Sequence, residues 1–372
     1  MQTQGHTLWV GTRKGLFGVQ RAAGGWRIGK PHFAGEPVTQ VLVDARDGAW
    51  YAALRLGHFG VKLHRSVDAG ASWREVASPA FPPKPVEGPW KDDPTPWSVD
   101  LVWGLEAGPA PAGAPGASRL WAGCLPAGLF SSDDGGASWQ LVESLWNRPE
   151  RREWLGGGYD HAGIHSILID PRDAAHVSVA ISCGGVWQSR DAGQSWTCTS
   201  AGMRADFMPP ERREDPNIQD VHRMVACAAD PDVLWVQHHG GLYRSSNGGQ
   251  HWQAIAAPAP SGFGFAVAAH PQDPRRAWFV PAEADARRIP VDGQLVVNET
   301  RDGGTSFTSH RAGLPQQDAY HLVYRHALVA SDDGQTLAMG STTGGLWVSE
   351  DAGASWHCLS RDLPPIAVLR LG

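Results

Sequence analysis

The chain has 372 residues, a formal net charge of −6 and a pI near 6.2, with no long basic run, so nothing in it favours nucleic acid as a partner. No apolar run approaches membrane-spanning length, and Met1 to Arg13 has no apolar stretch after a basic start, so no membrane span or signal peptide is expected and a cytoplasmic location is the simplest reading. Five cysteines (Cys124, Cys183, Cys198, Cys227, Cys358) are odd in number, scattered and without CxxC spacing, which points to reduced thiols rather than a disulfide framework.

In chain order, short apolar and β-branched runs come in pairs separated by a Gly-rich loop. Leu8–Thr12 pairs with Leu16–Gln20, Trp50–Leu54 with Val61–Arg65, and Leu120–Gly123 with Leu129–Ser131. Ile164 to Asp170, Val177 to Ser182 and Gly185 to Ser189 then follow as three successive strands. The later pairs are Leu234–Gln237 with Leu242–Arg244, Ala277–Pro281 with Leu295–Asn298, and Thr336–Gly340 with Leu346–Ser349. After the second run of a pair comes a box, Ser-x-Asp-x-Gly-x-x-Trp, at Ser66 to Trp73, Ser132 to Trp139, Ser189 to Trp196 and Ser349 to Trp356. Ser245 to Trp252 has Asn247 for Asp, Thr300 to Phe307 has Thr and Phe at its ends, and Val19 to Trp26 keeps only the terminal Trp. The aromatics ending the boxes from Trp73 onward are 66, 57, 56, 55 and 49 residues apart. A period near fifty with one hairpin signal per unit predicts an all-β, seven-bladed β-propeller, residues 1–372 as one domain.

Each blade reads as strands A to D, with the box between C and D. Asp bonds the backbone two residues on, Gly accepts positive φ, Ser caps the loop, and Trp anchors the seam between neighbouring sheets. The first blade lacks a strand before Leu8, and Pro365 to Leu371 is an extra strand at the other end, expected to supply that inner strand.

These boxes resemble those of the Asp-box (bacterial neuraminidase repeat) superfamily, which includes sialidases, xyloglucanases, sortilin-type receptors and photosystem-assembly propellers. The resemblance covers nearly the whole chain and implies the fold; its members do unrelated jobs. Sialidases grip a carboxylate with an arginine triad and use a Tyr/Glu nucleophile pair and an Asp acid. Here Arg13 and Arg55 offer two arginines without an obvious third, and Arg287-Arg288-Ile289-Pro290 falls in the sixth blade without the aromatic of the sialidase Phe-Arg-Ile-Pro.

Long insertions, Ala77–Trp97, Glu143–Gly163 and Thr199–Asp220, fall in D-to-A connections, on the same face as the B-to-C loops and opposite the boxes. Aligning the starts of strands A sets Ile164-His165-Ser166, Val221-His222-Arg223 and Tyr320-His321-Leu322 together, with Thr39 and Gly264 at the same position in the second and sixth blades. Three imidazoles at equivalent heights, with His238 and His239 beside them, suit Zn, Mn, Fe or Cu; the metal set is His165, His222, His321 and His239. The alternative is that these histidines bond one another, water or an anion. His165, His222, His321 and Asp160 are the catalytic candidates. Arg13, Lys14, Glu36, Arg55, His58, Tyr159, His238 and Tyr320 are candidates for holding an anionic, sugar-like or small organic substrate. Trp97 and Trp154 are further stacking candidates, and Cys124 and Cys183 fall at B-strand ends on this face. The expected activity is hydrolysis or β-elimination at the mouth of a central channel. A non-catalytic binding propeller and a glycosidase using Asp160 or Glu36 are the competing readings.

Overall fold

Alternating apolar runs separated by tight turns assemble into seven four-stranded sheets in the computed structural model, and the fold is a seven-bladed β-propeller. Residues 7–109 and 119–372 are described; the first six residues of the N-terminal segment inspected for a leader lie outside them. In each sheet strands A, B, C and D are neighbours in that order. Among the described residues no helix is long and apolar enough to cross a membrane.

The chain forms two compact units: one takes in Met1–Val38, Ala201–Asp215 and Val221–Gly372, the other Thr39–Ser200 and Pro216–Asp220. The first carries blades 1, 5, 6 and 7. Blade 5 comprises Val221–Ala226, Leu234–His238, Gly241–Ser245 and Gln253–Ile255, and blade 6 Gly264–Ala269, Ala277–Pro281, Val297–Thr300 and Thr308–His310. Blade 1 is Thr7–Thr12, Gly15–Ala22 and Gly25–His32, completed by the C-terminal strand Ile366–Leu371 as its strand A, with Leu8 opposite Leu371 and Val10 opposite Leu369. The principal core of this unit packs Leu8, Val10, Trp278, Met339, Trp347, Ile366 and Leu369 together.

Blade 7 departs from the sequence reading. Its strand A is Leu328–Ala330, not the run beginning Tyr320-His321-Leu322, which lies in the connection from blade 6. Two segments there carry histidine followed by apolar residues. The second leads straight into the tight Ser331–Thr336 turn, where Ser331 Oγ accepts the Thr336 N–H at 2.9 Å, and so pairs with Leu337–Gly340.

The other unit carries blade 3 (Leu101–Ala107, Leu120–Leu125, Leu129–Ser132, Gln140–Leu141), blade 4 (Ile164–Asp170, Asp173–Ile181, Gly185–Ser189, Thr197–Cys198) and blade 2 from Thr39 onward. One of its cores gathers Trp121, Ile167, Val179 and Trp187, a second Leu42, Tyr51, Leu63 and Phe130. Two insertions are tied together by Arg151, which is buried between the rings of Trp90 and Trp146 (4.1 and 3.8 Å) and paired with Asp93 at 2.7 Å. Trp97 packs in the same cluster, edge-on to Trp146.

The outer turns repeat one hydrogen-bond pattern. In Ser189 to Trp196, Ser189 Oγ donates to Asp191 Oδ1 (2.7 Å) and accepts the Gly193 N–H (2.8 Å), while Asp191 Oδ1 accepts the Ser195 N–H (2.8 Å). The hydroxyls and amides hold the Asp68, Asp134, Asp191 and Asp302 carboxyls near a pKa of about 2. Two successive residues of the turn are left-handed: Ala192 at φ 57° and Gly193 at φ 91°. Turns also pin neighbouring blades: within one unit Trp278 Nε1 donates to Ala352 O at 3.1 Å, and within the other Tyr51 Oη donates to Gly135 O at 3.1 Å.

Two measurements check this account. Ala192 occupies a position that is Gly135, Gly248 and Gly303 in sister turns, so Ala192→Gly relieves about 1–2 kcal/mol of left-handed strain against about 0.5–1 kcal/mol of added unfolded-chain freedom. Denaturant titration is expected to show a gain of up to about 1 kcal/mol; a loss contradicts the strained turn. Removing residues 365–372 strips Ile366, Val368 and Leu369, each 2% exposed, at about 1.5–3 kcal/mol apiece, a sum comparable with a domain's whole stability. The truncated chain is expected to lose its cooperative circular-dichroism melt, and a sharp transition near the full-length midpoint contradicts the closure of blade 1.

Candidate functional site

The inner strands open with an irregularity that no sequence period announces. In blade 5, Val221 pairs with His238 and Arg223 with Gln237, which leaves His222 as the extra, bulged residue. The same slip isolates Phe265 in blade 6 and Ala367 in blade 1, and in the other unit Trp103 in blade 3 and His165 in blade 4. A β-bulge takes one residue out of the ladder and re-aims its side chain. His165 and His222 therefore do occupy equivalent register positions, as the sequence alignment held. In blade 6 that position belongs to Phe265 rather than Gly264, and His321 is not in a strand at all.

In the unit of blades 1, 5, 6 and 7, His222 is 2% exposed and stacks on Phe265, ring centroids 4.4 Å apart and planes 13° from parallel. His239, from the B-to-C loop, meets His222 edge-on at 5.6 Å, and one ring nitrogen of each lies within 4.8 Å of the other. Phe263 stands edge-on to both imidazoles at 5.6 Å, and Phe207, from the insertion before blade 5, closes on His239 at 5.0 Å. The Nδ1 of His222 lies 2.6 Å from the carbonyl of Gly264. A carbonyl only accepts, so Nδ1 carries the proton and Nε2 the lone pair. Gly264 is itself closely packed within blade 6: a Cβ there would stand 2.5 Å from Val280 O.

Three further residues reach this cluster from outside the predicted set. Arg288 and Arg325 bring their guanidiniums 5.3 and 5.4 Å from the centre of Phe265, and Tyr324 meets the same ring edge-on at 5.0 Å. Burial pulls the Arg288 pKa down, but hydrogen bonds to Tyr324 and Asp285 outweigh it and leave it raised. The Arg-Arg-Ile-Pro run thus reaches the cluster by its second arginine.

The other candidates of this unit sit apart from that pair in their bonding. His238 is fully buried; its Nδ1 accepts the Gly240 N–H at 2.9 Å and its ring packs on Tyr243, so it shapes the loop that carries His239. His321 bonds through Nδ1 to Ser341 Oγ (3.2 Å) and Thr343 Oγ1 (2.5 Å), edge-on to Trp347. Arg13 and Lys14 are exposed on the blade 1 turn, Glu36 is half-buried, and Tyr320 is 62% exposed.

In the other unit His165 is fully buried, its Nδ1 3.0 Å from Ser166 Oγ and its ring edge-on to Trp103. Trp103 in turn meets Tyr159 at 5.2 Å, a file of rings running from buried imidazole to a phenol that is 42% exposed. Asp160 is exposed beside Tyr159. Arg55 is engaged by Asp100 at 2.7 Å, and His58 lies on Phe59. Trp154 is buried with Nε1 donating to Asn217 at 2.8 Å. Cys124 is enclosed, its thiol pKa pushed up by burial, and Cys183 is buried at φ 44°, its N–H donating to Asp220 Oδ1 at 3.3 Å.

No family model matches the chain. Over 235 residues it is 33% identical to an oligoxyloglucan-reducing end-specific xyloglucanase of Emericella nidulans, a match that takes in 55% of this chain and 26% of that protein. The chain thus spans about a quarter of the length of the curated relative it matches. Among solved structures, an ancestral GH74 enzyme aligns with a TM-score of 0.60 at 16% identity, over 98% of this chain and 40% of that one. YCF48 bound to D1 peptide aligns at 0.51 and 15% identity over 92% and 89%, and YCF48 from Cyanidioschyzon merolae at 0.52 and 11% over 88% and 87%. These likenesses show the propeller fold.

His321 offers a pH test. Burial, then the charge of Arg361, lowers its pKa below the ordinary 6.5. A histidine favoured neutral in the fold adds stability above its unfolded pKa, and that contribution is lost as pH falls through the folded value. Imidazole NMR titration is expected to give a midpoint under 6.5; a midpoint at or above it contradicts this environment.

Proposed function

We propose that the chain is a glycan-acting hydrolase of the Asp-box propeller superfamily, with its pocket at the imidazole–aromatic cluster of His222, His239, Phe207, Phe263 and Phe265. The observation that carries this reading is the 33% identity over 235 residues to a xyloglucan-acting enzyme. Several features of the cluster support it. Aromatic rings suit the apolar faces of sugars. Arg288, held beside Tyr324, offers donors to a carboxylate or hydroxyl of an anionic sugar. Hydrolysis needs a proton acceptor for water near neutral pH, and an imidazole with its Nε2 lone pair fixed by a carbonyl on Nδ1 is such a group.

The test is release of reducing ends from xyloglucan oligosaccharides and from uronic-acid-bearing oligosaccharides. Wild type is expected to turn over one of the two sets, and a folded His222→Gln chain to be slower by about 10²–10⁴-fold. Saturable oligosaccharide binding with no cleavage overturns the hydrolase reading in favour of a non-catalytic propeller. Undiminished turnover by His222→Gln places the chemistry elsewhere, and loss in Asp160→Asn alone assigns it to carboxylates.

A further inference from the structure

In the unit of blades 1, 5, 6 and 7, most buried titratable side chains serve their own surroundings. Glu299, 1% exposed, accepts from Arg276 (2.5 Å), Arg301 (2.9 Å) and His310 (2.8 Å), which hold its pKa at about 2 against the cost of burial. His270 accepts the N–H groups of Gln272 and Asp273, both at 3.1 Å. His238 accepts from Gly240, and His321 is bonded to two hydroxyls. The pair His222–His239 is arranged differently: two imidazoles from separate elements bring one nitrogen each to within 4.8 Å.

Three features of that pair match a metal ligand set. First, His222 donates Nδ1–H to a backbone carbonyl at 2.6 Å, the outer hydrogen bond that fixes a ligating histidine's tautomer and raises the basicity of Nε2. Second, the rings are nearly perpendicular, at 75°, rather than stacked, so their in-plane lone pairs can meet at one point. Nitrogens bound tetrahedrally at about 2.0–2.1 Å stand about 3.3 Å apart, a distance that a small rotation of the loop residue His239 reaches. Third, Phe207, Phe263 and Phe265 wall the pair with apolar rings, which limits competition from water. Of the guanidiniums beside Phe265, Arg288 is paired with Asp285 at 2.5 Å; Arg325 is buried.

We propose that His222 and His239 are ligands of a divalent transition-metal ion of the zinc type. Two imidazole nitrogens suit Zn²⁺ and leave coordination positions for water. The inference rests on the hydrolase reading's cluster and changes the role of His222 in it. Its Nε2 lone pair would go to the metal, and a metal-bound water, not a water deprotonated by His222, would be the attacking group. The inference concerns binding and holds without turnover.

The experiment is equilibrium dialysis of untagged, metal-stripped full-length chain against Zn²⁺, read by elemental mass spectrometry, beside His239→Ala and His222→Gln. Wild type is expected to take up Zn²⁺ stoichiometrically, and His239→Ala, a loop substitution outside the strand ladder, to bind it weaker by roughly tenfold or more with an unchanged melt. If His222→Gln does not fold, His239→Ala decides alone. Undiminished Zn²⁺ in folded His239→Ala overturns the site, as does substoichiometric uptake by wild type of Zn²⁺, Mn²⁺, Fe²⁺ and Cu²⁺ in turn. Saturable binding of inorganic phosphate in place of metal, lost in the same variant, assigns the pair to an anion and also overturns it. No glycan enters this assay. Zn²⁺ held at these residues in a chain that cleaves nothing removes the hydrolase reading alone; cleavage without metal removes only this one.

Discussion

Six of the outer turns, those of blades 2 to 7, each hang on one hydroxyl. Ser66, Ser132, Ser189, Ser245, Thr300 and Ser349 all take the amide of the Gly four residues on, and each donates to the Asp or Asn two residues on. That bond closes a loop through two left-handed residues which extended chain would not otherwise adopt. Once closed, the turn offers its carbonyls outward, and side chains of the preceding blade such as Tyr51 and Trp278 donate to them. Remove the hydroxyl and both the hairpin and its hold on the neighbouring sheet lose their anchor.

At the other end of the blades the constraint is reversed. In blades 3, 4, 5 and 6 the inner strand begins with a residue left out of the ladder register, and the bulge re-aims its side chain. Trp103 and His165 in one unit, and His222 and Phe265 in the other, are products of that slip. In both units a bulged imidazole lies against a bulged aromatic ring from the adjacent blade: His165 on Trp103, and His222 on Phe265. The chemistry of His222 is set by this arrangement, because the backbone entering blade 6 supplies both its stacking ring and the Gly264 carbonyl that fixes its tautomer.

Much of the architecture was legible in the sequence because it is periodic. The boxes marked the outer turns, the paired apolar runs marked strands B and C within a residue or two except in blade 4, where strand B begins at Asp173 and not Val177, and a surplus strand at the C-terminus matched a missing one before Leu8. The site was legible only where a bulge happened to hold a histidine. His165 and His222 were found by alignment, but the same logic misplaced His321, whose segment copies the pattern of a strand without a turn to pair it. It also chose Gly264 over Phe265, one residue from the bulge. Tyr324 carried no local signal, and Arg288 stood only in a run set aside for lying in the sixth blade without the aromatic; each reaches Phe265 from a loop whose course depends on packing far along the chain. The sequence reading set His239 among the metal ligands and His238 among the substrate-binding candidates; in the structure His238 is buried and bonded to the Gly240 N–H, while His239 meets His222 edge-on.

The unpaired position at the head of the inner strand has an evolutionary consequence. Most substitutions in a sheet must satisfy both a ladder and the neighbouring side chains, whereas the bulged residue answers to its neighbours and not to the ladder. Trp103, His165, His222, Phe265 and Ala367 are five different answers to one backbone geometry. The propeller therefore behaves as a rack of interchangeable sockets, in which a lineage can change the reagents it displays one blade at a time while the frame that holds them stays as it was.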